Sequence, residues 1–127
     1  MVHHPLRRFV IFALYCDGPF LTPFPPPPQT VYWEMVTKHG FDPDWYRGTG
    51  GNNAILQNVV DGLKIQPCRP SFVDARNAII LADRQNFDSF YTCDMWRAFA
   101  RRGLGFSAVG TSMPITEAFD LPPNCTA

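Results

Sequence analysis

The chain has only three histidines, His3, His4 and His39, and only two glutamates, Glu34 and Glu117. A zincin centre needs two histidines one turn apart, a glutamate beside the first as general base, and a further carboxylate ligand. No HExxH can be written from these positions, so no catalytic residue and no metal ligand is assigned. C-x-x-C pairs are also absent among the four cysteines, which removes the usual zinc-finger and thioredoxin patterns. Net charge is lacking too: eleven basic residues balance eleven acidic ones. Without a basic cluster, neither nucleic acid nor an anionic membrane surface is an expected partner. The longest apolar run before the first turn signal is Phe9 to Cys16, far short of the roughly 20 residues a membrane span requires.

Thirteen prolines and eleven phenylalanines are present in abundance, the prolines mostly toward the two ends. That distribution predicts irregular terminal segments around a helical centre. Met1 to Arg8 is basic, Phe9 to Cys16 apolar, and Asp17-Gly18-Pro19 closes the run, an order like a short secretory signal without a small-x-small cleavage site. Phe20 to Gln29 is expected to be an extended polyproline segment, a stiff spacer rather than a PxxP-type ligand. Its Pro, Phe and Leu codons are pyrimidine-rich, so residues 1–30 can also be read as a mistranslated intron end.

The centre carries clearer signals. Val31 to Lys38 fits two helical turns stopped at Gly40. Asp-Pro, Arg-Gly and Gly-Gly make Phe41 to Asn52 a loop, with Trp45 and Tyr46 as its anchors. Asn53 to Leu63 places Ile55, Leu56, Val59, Val60 and Leu63 on one helical face, and Pro67 forbids extension. Ser71 can cap a third helix, with Asp74 completing a short version of the capping box. Phe72, Ala75, Ile79 and Ala82 then mark its buried stripe, widened by Val73 and Ile80, whereas Arg76, Asp83 and Arg84 are assigned to solvent. A fourth helix opens near Thr92, turns Trp96, Phe99 and Ala100 inward, and ends on Arg101-Arg102-Gly103. The last two helices read as an αα-hairpin, followed by a tail from Phe106 that should run over the surface.

Within this centre the spaced pattern Gln66-Pro67-Cys68, Pro70, Phe72-Val73, Ala75-Arg76, Ala78-Ile79, Ala82-Asp83, Cys93, Trp96, Ala98-Phe99-Ala100 and Arg102-Gly103-Leu104-Gly105 resembles the C-terminal end of the fungalysins, secreted thermolysin-like zinc metalloendopeptidases of fungi. The resemblance runs from Val31 to Phe119-Asp120-Leu121-Pro122 and Cys125. It departs at Phe87, Phe90 and Tyr91, where small and polar residues are expected. It implies a mostly α fold, the helical C-terminal lobe of such a peptidase, with residues 1–30 outside the match and 31–127 inside it. It also implies secretion, a zymogen, zinc as the family's metal, and a partner in the missing N-terminal catalytic part. The family's zinc ligands and transition-state histidine precede the matched region, so none is carried over.

Two functional classes follow. One is a C-terminal piece of a peptidase, inactive alone and structural in role; the other is a small secreted non-catalytic helical module that binds a protein. A metal site from His3, His4 and Cys16 has no spacing to support it. Ser71 and Ser107 lack a base, and Gly48-Thr49-Gly50-Gly51 lacks the strand and Lys of a phosphate loop. His39 suits a helix end.

If a disulfide forms, Cys68 to Cys125 is expected. A hairpin would hold Cys68 and Cys93 roughly 20 Å apart at 1.5 Å per residue, while the tail leaves the fourth helix near Cys68. Asn124-Cys125-Thr126 is a formal glycosylation sequon, of a kind that also arises by chance.

Overall fold

A computed structural model describes residues 27–110 and 116–126. Among these residues four α-helices follow in order: α1 (Pro27–His39), α2 (Gly51–Ile65), α3 (Phe72–Phe87) and α4 (Thr92–Arg101), with a 3-10 turn at Pro123–Cys125. The mostly helical class is the one the sequence implies.

Helix α1 begins four residues earlier than Val31. Pro27, Pro28 and Gln29 are helical rather than extended, because a proline in a first turn lacks only an amide that has no helical partner anyway. The remainder of the polyproline expectation, Phe20 to Phe24 and the two residues after it, lies outside the described residues, as do the signal-like run, His3, His4 and Cys16. At the other end Gly40 stops the helix with φ +83, a conformation strained for any residue with a side chain, and Gly103 ends α4 in the same way at φ +81.

Val31, Tyr32, Met35, Ala54, Ile55, Val59, Ile79, Met95, Ala98 and Phe99 form one core, with Met35, Ile55 and Phe99 almost wholly enclosed. Full burial of side chains this size stabilises by about 1.5–3 kcal/mol each. Helix α3 packs chiefly on α2, while α4 packs chiefly on α1. The two halves are therefore joined by α1 against α2 more than by the expected hairpin. Gly51 permits that crossing: a Cβ there would stand 2.0 Å from the Met35 carbonyl oxygen.

Several side chains depart from the amphipathic reading. Arg76 and Asp83, assigned to solvent, are buried, while Phe72 and Val60, assigned to buried faces, are exposed. Trp45 and Tyr46 do not anchor the 41–50 loop; Tyr46 is 98% exposed. Polar groups hold it instead. Asp42 and Asn52 exchange two hydrogen bonds, Asp42 N to Asn52 Oδ1 at 2.9 Å and Asn52 Nδ2 to Asp42 O at 2.8 Å. Asp44 Oδ1 accepts from the amides of Tyr46 and Arg47.

The tail is pinned as well. Gly105 N donates to Ala118 O, Phe106 N to Asp120 O, and Val109 and Thr116 exchange a pair of backbone bonds. Ala108, Pro122 and Cys125 are buried along its course.

Candidate functional site

Four polar constellations gather the chemistry-bearing side chains. The first joins the end of α1 to the start of α4. Capping by Gly40 leaves Lys38 and His39 in the last turn of α1, and Asp94 lies in the first turn of α4, where the helix dipole favours a carboxylate. His39 Nε2 donates to Asp94 Oδ2 at 2.8 Å, Arg97 reaches Oδ1 at 3.0 Å, and Lys38 pairs with the same oxygen. Burial pushes the Asp94 carboxyl up, but the bonds from Lys38 and His39 outweigh it and hold it below its ordinary value. The imidazole stands edge-on to Tyr91, 4.8 Å between ring centroids.

A His–carboxylate pair is the raw material of acid–base chemistry, yet this carboxylate is already saturated by two cations and the imidazole. Its geometry suits a clamp. Sequence reasoning assigned His39 to the helix end but missed its partner, because Asp94 is 55 residues away along the chain.

The second constellation is buried. Asp83, fully enclosed, accepts from Asn58 Nδ2 at 3.0 Å, from Tyr91 N at 3.1 Å and from Thr92 Oγ1 at 2.8 Å. It thereby caps the start of α4 from the end of α3. Asn86 extends the network to Asn58 Oδ1 and Asp61 Oδ2. Hydrogen bonds from Gln57 first, and then Asn86, hold the Asp61 carboxyl below its ordinary value.

In the third, Arg76 lies over the Trp96 ring, 4.7 Å from its centroid, and donates to the Gly105 carbonyl at 2.6 Å. A guanidinium stacked and hydrogen-bonded in this way can stay buried without a direct carboxylate partner. Asn77 Oδ1 accepts from its other nitrogens.

The fourth is the disulfide between Cys93 and Cys125, whose Cα atoms are 5.3 Å apart. The expected Cys68–Cys125 pairing is overturned: Cys68 is free and exposed. Pairing of the tail with Gly105 and Phe106 first places Asp120 near the end of α4. From there to Cys125 two extended steps and the three residues of the 3-10 turn reach about 13 Å, close to the climb of about 15 Å back along α4 from Gly103 to Cys93. The tail thus returns along α4 and ends at its beginning, not at Cys68. Asn124, the sequon residue, is exposed beside this bridge.

The remaining sequence candidates hold the fold locally. Ser71 Oγ accepts from Asp74 N at 3.1 Å while Asp74 Oδ2 accepts from Ser71 N at 3.0 Å, the reciprocal box expected. Ser107 donates to both oxygens of Asp120, through its amide and its hydroxyl. Glu34 pairs with Arg101. Gly51 forms the first turn of α2, whose entry is closed by Asn53 Oδ1 accepting from Gly50 N.

Residues 29–108 match the profile of the family described as fungalysin metallopeptidase (M36). The chain belongs to the fungalysin family. Among its curated relatives, extracellular metalloproteinase 3 of Arthroderma gypseum is 40% identical over 101 residues, covering 75% of this chain and 16% of that protein. Probable extracellular metalloproteinase 3 of Trichophyton verrucosum is 39% identical over the same length, with the same shares of both chains. Extracellular metalloproteinase MEP of Leptosphaeria maculans is 39% identical over 99 residues, 72% of this chain and 16% of that one. The fungalysin-family chain therefore spans about one sixth of the length of these relatives.

The metallopeptidase family implies zinc. Among the described residues no three His, Cys, Asp or Glu side chains come together as a metal site. Among the described residues the His39–Asp94 pair has its carboxylate committed to Lys38 and Arg97. The described residues do not fit the metal, and no step of zinc chemistry is derived from them. No helix among the described residues is long and apolar enough to cross a membrane.

Proposed function

We propose that this chain serves as the helical C-terminal lobe of a secreted zinc metalloendopeptidase, supplying packing to the enzyme and no group to its chemistry. The observation that carries the reading is the coincidence of the family match, residues 29–108, with helices whose polar side chains are committed to one another. Asp94 is spent on a clamp, Asp83 on a cap and Arg76 on the tail. Extracellular relatives support secretion. The partner in this reading is the catalytic portion of such an enzyme, and the isolated 127-residue chain is inactive.

The test is a peptidase assay of the purified chain with excess zinc, alone and mixed with the N-terminal remainder of a related enzyme. No cleavage by the chain alone is expected; chelator-sensitive cleavage by the chain alone overturns the reading. The non-catalytic binding module is the second reading, favoured by the exposed rings of Tyr46, Phe90 and Phe119. A stable monomer that gives no activity in the mixture supports the module over the lobe.

A further inference from the structure

We propose that Asn124 is an N-glycosylation site, and that its modification competes with closure of the Cys93–Cys125 bridge. The inference rests on the secretion proposed above. Asn124-Cys125-Thr126 is the only Asn-x-Ser/Thr sequence in the chain. Its three residues are sorted by the fold so that a glycan already in place is tolerated. Cys125 is buried and bonded to Cys93, while Asn124 and Thr126 on either side of it are exposed. A bulky saccharide on Asn124 therefore extends into solvent without disturbing the bridge, the buried Pro122 or α4.

The same geometry sets the order of events. In the transfer, the Asn124 side-chain nitrogen attacks the anomeric carbon of a lipid-pyrophosphate-linked oligosaccharide. An N–C bond forms, the carbon–oxygen bond to the pyrophosphate breaks, and the lipid pyrophosphate leaves. The amide proton passes to a base on the transferase. The transferase must also engage the Thr126 hydroxyl. In the folded chain that hydroxyl donates to the Pro123 carbonyl at 2.8 Å, and Cys125 N donates to Pro122 O at 2.9 Å, which closes the 3-10 turn. The bridge holds this turn against α4, so the folded, oxidised tail presents the sequon in the wrong conformation. Modification thus belongs to the interval before Cys93 and Cys125 join. Once made, the glycan stands beside the sulfurs and screens them from reductants.

The test uses the full chain behind a heterologous secretion leader in a eukaryotic host, so that entry to the secretory pathway does not depend on the chain's own signal. Secretion without that leader is scored separately and reports on the proposed localisation. With the leader, a band shift removed by peptide N-glycosidase, with Asn124 converted to Asp in the mapped peptide, is expected. Asn124→Gln and Thr126→Ala should each abolish the shift. Cys93→Ser leaves the sequon intact and removes the bridge, and should raise occupancy at least twofold. Secreted chain with an unmodified Asn124 in both the native and the Cys93→Ser forms overturns the site. Equal partial occupancy in the two forms overturns the competition.

Discussion

Asp83 Oδ1 stands 3.0 Å from Asn58 Nδ2 in the space between α2 and α3, and neither side chain has any exposed surface. The other carboxylate oxygen holds the first turn of α4 through Tyr91 N and Thr92 Oγ1. One residue thus ties three helices. Asp83→Ala leaves a buried amide and the start of α4 without their acceptor, and should destabilise the chain by about 3 kcal/mol, the cost of losing a charged acceptor inside a core. Asp83→Asn keeps a single acceptor oxygen and should fall between the two. Urea unfolding followed by helical circular dichroism measures both. A change below about 0.5 kcal/mol, the usual range for surface substitutions, would show that the network is not what joins the helices.

Arg76 should fix the tail more than it fixes the helices. Its guanidinium bonds the Gly105 carbonyl and covers Trp96, which also meets Phe106 at 5.9 Å between ring centroids. Arg76→Ala is expected to cost about 2–3 kcal/mol from the lost charged hydrogen bond and stacking. It should also speed proteolytic cutting between residues 104 and 110 while α2 and α3 stay protected. Arg76→Lys keeps the charge but loses the planar fork, so most of the effect should remain. Uniform protection in Arg76→Ala would remove this role.

Cys93 and Cys125 close a separation of 32 residues, which corresponds to about 4 kcal/mol in the chain-entropy account. Paired replacement of both by Ser should lower the free energy of unfolding by up to that amount, read as a fall in the urea midpoint at unchanged m. Under native conditions an alkylating reagent should label the exposed Cys68 and spare Cys93 and Cys125. A mapped Cys68–Cys125 peptide would restore the pairing that the sequence suggested.

What was legible in the sequence was local. The Ser71–Asp74 box, the stop at Gly40, the limit set by Pro67 and the glycine after α4 depend on residues within a turn of one another. The family pattern was legible because its spacings are long and specific. What was hidden depends on partners distant in sequence. Amphipathic counting assigns Arg76 and Asp83 to water because it knows nothing of Trp96, Leu104 and Asn58, which make their burial tolerable. The disulfide was misplaced for a related reason. A hairpin frame sends the tail back to Cys68, whereas α4 packs mainly on α1 and the tail follows α4. The His39–Asp94 contact was invisible because each residue has a sufficient local explanation at its own helix end.

That contact gives the last prediction. Asp94 is pushed up by burial and held down, on balance, by Lys38 and His39, so its folded carboxyl titrates below the ordinary 3.8. Asp61, held by Gln57 and Asn86, behaves alike. A carboxyl depressed in the folded state stabilises fully above its unfolded value, and the stability is lost as pH falls through the folded value. The urea midpoint should therefore be insensitive to these groups above about pH 5 and decline below about pH 4. Asp94→Asn removes the ionic part of the clamp, which should cost about 1 kcal/mol at neutral pH and make the acid decline shallower. Part of the decline should persist, because Asp61 remains. Raising the salt concentration should weaken the exposed Lys38 contribution more than the half-buried His39 bond. If Asp94→Asn loses stability in acid as steeply as the native chain, the clamp between α1 and α4 is not the acid-sensitive element, and the decline belongs to the other depressed carboxyls, Asp61 and the Ser107-bonded Asp120.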